Sequence, residues 1–152
     1  MTAQAHGLTS HQRSGADLSA KEIHDLLRLR VDVFVVEQEC PYPEVDGLDL
    51  LPSTTHLWLS DQAGPAASIR LLNGAGGLKI GRVVTRSDRR GERLAGRLME
   101  AALQIIGPSS SSLEAQSYLV NFYSQFGFAV SGPEYIEDGI PHTPMQRAAT
   151  TA

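Results

Sequence analysis

The period of apolar residues changes once between Leu78 and Ala102, and that change marks the unit around which the rest of the chain is arranged. Leu78 to Thr85 is a β-like run, with Leu78, Ile80, Val83 and Val84 as its apolar members. A polar turn carrying Arg89, Arg90 and Gly91 follows, after which Leu94, Leu98 and Ala102 recur at the spacing of one helix face. The pattern predicts a strand, a tight basic loop and a helix from about Arg93 to Ile106, stopped by Gly107-Pro108. Upstream, Ser19 with Glu22 has the form of a capping box, and the apolar spacing from Ile23 to Val36 predicts a helix over about 19–36. Thr55 to Asp61 alternates Leu57 and Leu59 with His56, Trp58 and Ser60, as a half-buried strand does. Gln62 to Pro65 turns the chain into a second strand, Ala66 to Leu72, and Asn73 to Gly77 is a loop before the third, so three antiparallel strands lead into the basic turn. Downstream come a short strand at Ser111 to Ala115, a helix from about Ser117 to Phe126, a strand at Gly127 to Val130, and a loop with a final strand around Met145. Helix, strands, helix, strand, helix, strands is the order of an α/β protein with helices on the faces of its sheet.

Two stretches fall outside this pattern. Pro41, Pro43 and Pro52 forbid regular structure in the acidic loop from Glu39 to Thr55, and Gly47 offers a turn there. Residues 1–16 are small and polar and read as a flexible N-terminal segment, leaving 17–152 as one domain of ordinary size.

Composition narrows the function by exclusion. Thirteen basic and seventeen acidic residues give a formal charge of −4, which opposes general nucleic-acid binding. No apolar run reaches the ~18 to 20 residues of a membrane span, and the N-terminus lacks the apolar core of a signal peptide, so the expected compartment is the cytoplasm, with no membrane partner. Cys40 is the only cysteine, which rules out an intrachain disulfide and a cysteine-based zinc site. The acidic loop lacks the ligand spacing of an EF-hand, and no metal is expected. Oligomeric state stays open between monomer and homodimer.

The basic turn is where chemistry is most legible. A helix N-terminus presents unpaired N–H groups and a positive dipole end, and adjacent arginines add formal charge where a phosphate would sit. A nucleotide-triphosphate loop is rejected: at Gly91 to Leu98, Arg97 stands where lysine is needed and Leu98 where a hydroxyl must hold magnesium. The remaining choices are a merely basic, solvated helix start and a pyrophosphate cradle.

Arg90, Gly91, Glu92, Arg93, Leu94 and Ala95 follow the R/Q-x-x-G-x-G/A order of the GNAT acyltransferases, which this sequence resembles, with Arg93 where the family usually has its central glycine. The run Tyr118 to Phe128, with Tyr123 four residues before Gly127-Phe128, is similar to the family's Y-x-x-x-G-F turn, and Gln116 stands where many members carry an asparagine that touches the cofactor. The segments Arg30 to Gln38, Cys40 to Asp49, Gly81 to Thr85 and Glu137 to His142 with Met145 resemble the ElaA-like branch and spread the likeness over about residues 21–147. The resemblance implies a mixed, mostly antiparallel central sheet flanked by helices, and acetyl-CoA as co-substrate held by the 90–95 loop, by the backbone of Val83, Val84 and Thr85, and by Gln116. It further implies an N–H near Val84 facing the thioester oxygen and Tyr123 as the acid for the departing thiolate, a phenol of pKa near ~10 being able to do this. The alternative fate of Tyr123 is aromatic packing beside Phe122 and Phe126.

The general base is not settled by the residues. Glu37, Glu39, Glu44, Asp46 and Asp49 crowd one loop, and Glu114, Glu137, Asp138 and His142 sit near later strand ends, with His56 the other candidate histidine. If the acidic loop borders the cleft, Glu44, Asp46, Asp49, His56 and His142 would bind the acceptor, and the field would favour a positively charged primary amine, small or peptidic. If not, these carboxylates are a solvated loop. A non-catalytic acyl-CoA-binding or regulatory module of the same fold is the second function class, and Arg93 is its main argument.

Overall fold

The strands read at 55–85 form the middle of a single sheet. In the computed structural model, which describes residues 7–150, β2 (Thr55–Asp61), β3 (Gly64–Gly74) and β4 (Gly77–Thr85) run antiparallel in sequence. β5 (Ser111–Gln116) lies parallel to β4, β8 (Ile140–Arg147) is antiparallel to β5, and the short β6 (Ala129–Val130) and β7 (Tyr135–Glu137) both pair with β8. β1 (Thr9–Ser14) closes the other side against β2, giving the order β1-β2-β3-β4-β5-β8-β6. A parallel neighbour needs a crossover, and α2 (Leu94–Ile106) supplies it between β4 and β5.

The alternation of each strand sorts its residues onto two unlike faces. Leu57, Leu59, Ile69, Leu71, Ile80 and Leu113 join Leu94, Leu98, Met99, Ala102 and Ile106 of α2 in the main core. On the opposite face lie α1 (Ala20–Arg30) and its continuation, where Leu29, Val33 and Phe34 pack on Val84. The intervening strand residues His56 and Arg70 are also buried on this second face, so it is partly polar.

α1 starts as its capping box requires: the Glu22 N–H donates to the Ser19 hydroxyl at 3.1 Å and the Ser19 N–H to the Glu22 carboxylate at 2.9 Å. The helix expected to run on to residue 36 does so, but as a π-helical stretch, Val31–Glu37, of the kind often found beside functional sites. The helix expected over 117–126 is a 3₁₀ turn, Ser117–Leu119, followed by the short α3 (Val120–Ser124). The flexible segment read at 1–16 differs more, because Thr9 to Ser14 form β1, while residues 1–6 lie outside the described part. TSHQRS has no apolar alternation because its ladder bonds carry an edge strand, helped by His11 stacking on Trp58 and pairing with the Ser60 hydroxyl at 2.8 Å. The next residue, Gly15, permits close approach: a Cβ there would lie 2.3 Å from the Asp49 carbonyl and 2.4 Å from that of Leu51.

Candidate active site

β4 and β5 pair only where Leu78 to Ile80 meet Ser111 to Leu113, and beyond Ile80 and Leu113 they part. One extra residue in β4 accompanies the parting. Pairing with β3 slips between Arg70 opposite Gly81 and Ser68 opposite Val84, and Arg82 sits at φ 52° in the left-handed region. Such a bulge bends its strand and re-aims the groups after it. The Arg86 N–H donates to the Ala66 carbonyl at 2.8 Å, so by alternation Val84 turns its N–H towards β3, while Val83 and Thr85 turn theirs into the gap. Arg90 reaches the Thr85 carbonyl from the gap side at 3.2 Å, in keeping with that direction. The free N–H expected at Val84 therefore falls to Val83, because the bulge shifts the alternation by one residue.

The gap opens into a cleft of about 700 Å³ with an apolar floor of Ile80, Leu113 and Tyr123. At one end stand Arg90, Ala95 and the start of α2. Arg93, in the glycine position, is the N-cap of α2 and adopts φ 60°, ψ 30°, the conformation a glycine would supply, and no side chain caps the helix there. The curl is kept at a cost of about 1 kcal/mol, and the first-turn N–H groups carry no side-chain partner among the described residues. Arg90 donates to both oxygens of Glu37 at 2.5 and 2.8 Å, which holds the Glu37 carboxyl below its usual range. Not every loop residue faces the cleft: Leu94 is in the core and Glu92 pairs with Arg89 at 3.1 Å. Gln116 reaches across to Gln38 at 3.4 Å.

Tyr123 is 6% exposed, lies edge-on to Phe122 at 5.0 Å, and has no hydrogen-bond partner for its hydroxyl among the described residues. Burial pushes its pKa up, with the neighbouring Tyr118 adding to the shift, so the phenol keeps its proton. The turn that seats it needs Gly127, at φ 89° with a side of Arg147 3.1 Å from where a Cβ would be.

The acidic loop does not behave as the sequence suggests. Glu44 and Asp49 are 3% and 4% exposed and His56 3%, and none of the three lines the cleft. Arg30, itself 2% exposed, donates to Glu44 at 2.5 and 2.7 Å and to Asp49 at 2.7 and 3.1 Å. Arg82 adds a 2.7 Å bond to Glu44, and Arg70 bonds of 3.1 Å to Asp49 and 2.8 Å to Asp46. Three carboxylates thus meet three guanidinium groups. Of the five expected acceptor contacts only Asp46 and His142 border the cleft, and Asp46 is already neutralised. The arginines were the missed half of the site. Their one signal was a cation on an apolar stripe, Arg30 standing four residues after Leu26 and three before Val33, where burial demands a partner.

Titration of this cluster sets an acid limit. Desolvation would raise Asp46, but hydrogen bonds from Arg70 and the Leu48 N–H, with the charges of Arg70 and Arg82, bring it down to about 2. Burial opposes ionisation of Asp49 too, yet Arg30 and Arg70 leave it lowered. His56 is lowered by burial, against the pull of the Asp49 carbonyl, and is neutral when folded. A lowered histidine stabilises fully above its ordinary 6.5 and loses that contribution as pH falls below it; both aspartates stabilise above 3.8 and lose that contribution as pH falls below it, Asp46 towards about 2. The urea midpoint is expected to hold from pH 7 to 8, decline from about 6.5 and fall steeply below about 4. A midpoint flat down to pH 4 would mean that His56 is not buried neutral.

The opposite arm of the cleft is lined by Cys40, Tyr42, Glu114, Glu137, Asp138 and His142. Cys40 donates to the Asp138 carbonyl at 3.2 Å, tying the loop to the β7–β8 turn. Glu114, Glu137 and Asp138 have no basic partner among the described residues, so the negative field in this arm comes from the strand ends rather than from the loop.

A family model for the acetyltransferase (GNAT) domain matches residues 31–149, and the chain belongs to that acyltransferase family. Within it the chain is ElaA-like. It is 38% identical over 146 residues to the protein ElaA of Escherichia coli, covering 90% of this chain and 94% of the relative, and the crystal structure of that ElaA superposes with a TM-score of 0.86 at 35% identity over 92% and 99% of the two chains. A UPF0039 protein of Mycobacterium tuberculosis is 48% identical over 136 residues, 86% of this chain and 87% of its own. The crystal structure of an acyl-CoA N-acyltransferase from Pseudomonas aeruginosa matches with a TM-score of 0.85 and 42% identity over 93% and 99% of the chains.

Proposed function

We propose that the chain is an acetyl-CoA-dependent N-acyltransferase that moves an acetyl group onto a primary amine. The observation that carries this is the parted pair β4 and β5. Backbone groups of Val83 and Thr85 face the gap, Tyr123, whose hydroxyl has no partner among the described residues, lines its floor, and a helix start without a side-chain cap stands at one end with Arg90. These residues fit the donor: strand edges for an amide-bearing arm, and first-turn N–H groups with a guanidinium for a pyrophosphate. The bound thioester would supply the acyl carbon and a thiolate leaving group. Val83 then donates its N–H to the carbonyl oxygen as negative charge gathers there, and Tyr123 gives its proton to the sulfur. The unit that does this is one domain, with β1 included. No helix among the described residues is long and apolar enough to cross a membrane, and the reading places the enzyme in the cytoplasm, as monomer or homodimer, with no nucleic acid or metal.

Coenzyme A at ~100 times its dissociation constant is expected to add ~2.7 kcal/mol of stability, visible as a rise of several degrees in melting temperature. No shift at millimolar coenzyme A would sink the assignment. Thiol release from acetyl-CoA with polyamines, aminoglycosides, amino acids and peptide N-termini separates turnover from the alternative, a module that binds acyl-CoA without reacting.

A further inference from the structure

We propose that His142 takes the proton of the acceptor amine, through Nε2, as the amine attacks the thioester carbonyl. The inference rests on the acyltransferase reading above and adds the group that reading lacks.

The tautomer comes first. His142 Nδ1 lies 2.8 Å from the Ile140 carbonyl oxygen, which can only accept. The hydrogen therefore sits on Nδ1 and the lone pair on Nε2, and Nε2 has no partner among the described residues. This is the arrangement in which a histidine can receive a proton.

The ring is also held in place. Tyr135 stacks on it with centroids 5.7 Å apart and planes at 21°, and the Tyr135 hydroxyl donates to Glu114 at 2.8 Å. Sheet register then puts the imidazole on the correct side. His142 stands directly opposite Gln116 of β5 and Tyr135 of β7, and paired residues share a face, so with the period of two Glu114 joins them. Gln116 reaches Gln38 at the end of the π-helical stretch, which identifies this as the α1 face, whereas Tyr123 belongs to the core beneath α2. His142 and Tyr123 thus line the same cleft from opposite faces of the sheet, so proton acceptor and proton donor do not compete for one position. His56, the other histidine considered, is shut away against the Asp49 carbonyl at 2.8 Å.

The balance closes. As the N–C bond forms, Nε2 takes the proton that the nitrogen must lose; as the C–S bond breaks, Tyr123 protonates the sulfur. The imidazolium then loses a proton to solvent and the tyrosinate gains one, so amine and thioester become amide and thiol. Tyr135 on β7 stacks on the imidazole, and the other titratable and charged groups that line the cleft with it are Glu114 on β5, Glu137 on β7, Asp138 in the turn, Cys40, Tyr42 and Asp46 in the acidic loop, Arg82 on β4, and Glu37, Arg90, Tyr118 and Tyr123.

His142→Asn tests this, since the asparagine amide can still donate to Ile140 but offers no basic nitrogen; His142→Gln is the second variant should the first not fold. With acetyl-CoA and the best amine of the panel, the variant is expected to keep the coenzyme A melting shift and lose about 10²-fold or more in kcat. It should also lose the acid limb of the wild-type pH profile and recover part of its rate when free imidazole is added. A rate within twofold of wild type, or a loss that keeps the acid limb and ignores imidazole, would overturn the role. Long-range ¹H–¹⁵N correlation of the ring nitrogens gives a readout without turnover: Nδ1–H is expected, and an Nε2–H tautomer alongside a normal coenzyme A shift would overturn this role alone. Wild-type protein with neither coenzyme A shift nor thiol release would instead overturn the acyltransferase reading, and this role with it.

Discussion

Tyr123→Phe is expected to lower kcat for thiol release about 10²-fold or more while leaving the coenzyme A melting shift unchanged. A positioned acid contributes roughly 10²- to 10⁴-fold to such a step. The size of the effect can be isolated because the hydroxyl makes no protein hydrogen bond among the described residues, so its removal orphans no partner and keeps the ring contacts with Phe122. The unfolding free energy should change by less than about 1 kcal/mol. Stopped assays that follow free thiol, beside urea melts of both proteins, check the two halves together. Equal kcat in the two proteins would mean that the ring is structural and that solvent protonates the sulfur. A matched loss of kcat and stability would mean that the hydroxyl holds the fold, contrary to the geometry.

The second large effect falls on stability. Arg30→Met is expected to cost about 3–5 kcal/mol, because removing one member of a buried ionic cluster leaves its partners charged and dry. Glu44 and Asp49 each keep one other arginine, Arg82 and Arg70, but the remaining bonds cannot replace four from a single guanidinium. Arg30→Lys should fall between wild type and Met, since an ammonium cannot present the planar fork that joins two carboxylates. The urea midpoint should drop with little change in its slope. A loss below about 1 kcal/mol would show that the cluster is wetter than its burial indicates. Because Arg82 belongs both to this cluster and to the bulge that turns Val83 into the gap, the same arrangement that neutralises the loop also fastens the strand that borders the gap.

The sequence by itself determined the elements whose reasons are local. Alternation at Thr55 to Asp61, the capping box at Ser19 and Glu22, and the period change after Thr85 each specify a conformation through neighbours within a few residues, and each element forms as read. The 55–61 strand, expected to be half-buried, is however buried on both faces, with α1 on the side of the second one. Motif spacing likewise brought Arg90, Tyr123 and Gln116 to one cleft, since a strand, its following loop and the helix after β5 have little freedom in how they meet. Tertiary structure decided what depends on partners far along the chain. β1 exists because β2 offers an edge, although TSHQRS carries no apolar period. The carboxylates of Glu44 and Asp49 look like a solvent-facing negative patch until Arg30, Arg70 and Arg82 arrive from a helix and two strands, and burial then makes ion pairing obligatory. Val83 rather than Val84 turns its N–H into the gap because a single extra residue in β4 reverses the alternation, and only the register against β3 reveals it. Arg93 could take the glycine conformation because that backbone is imposed by the strand before it and the helix after it, at a strain of about 1 kcal/mol that the rest of the fold sustains.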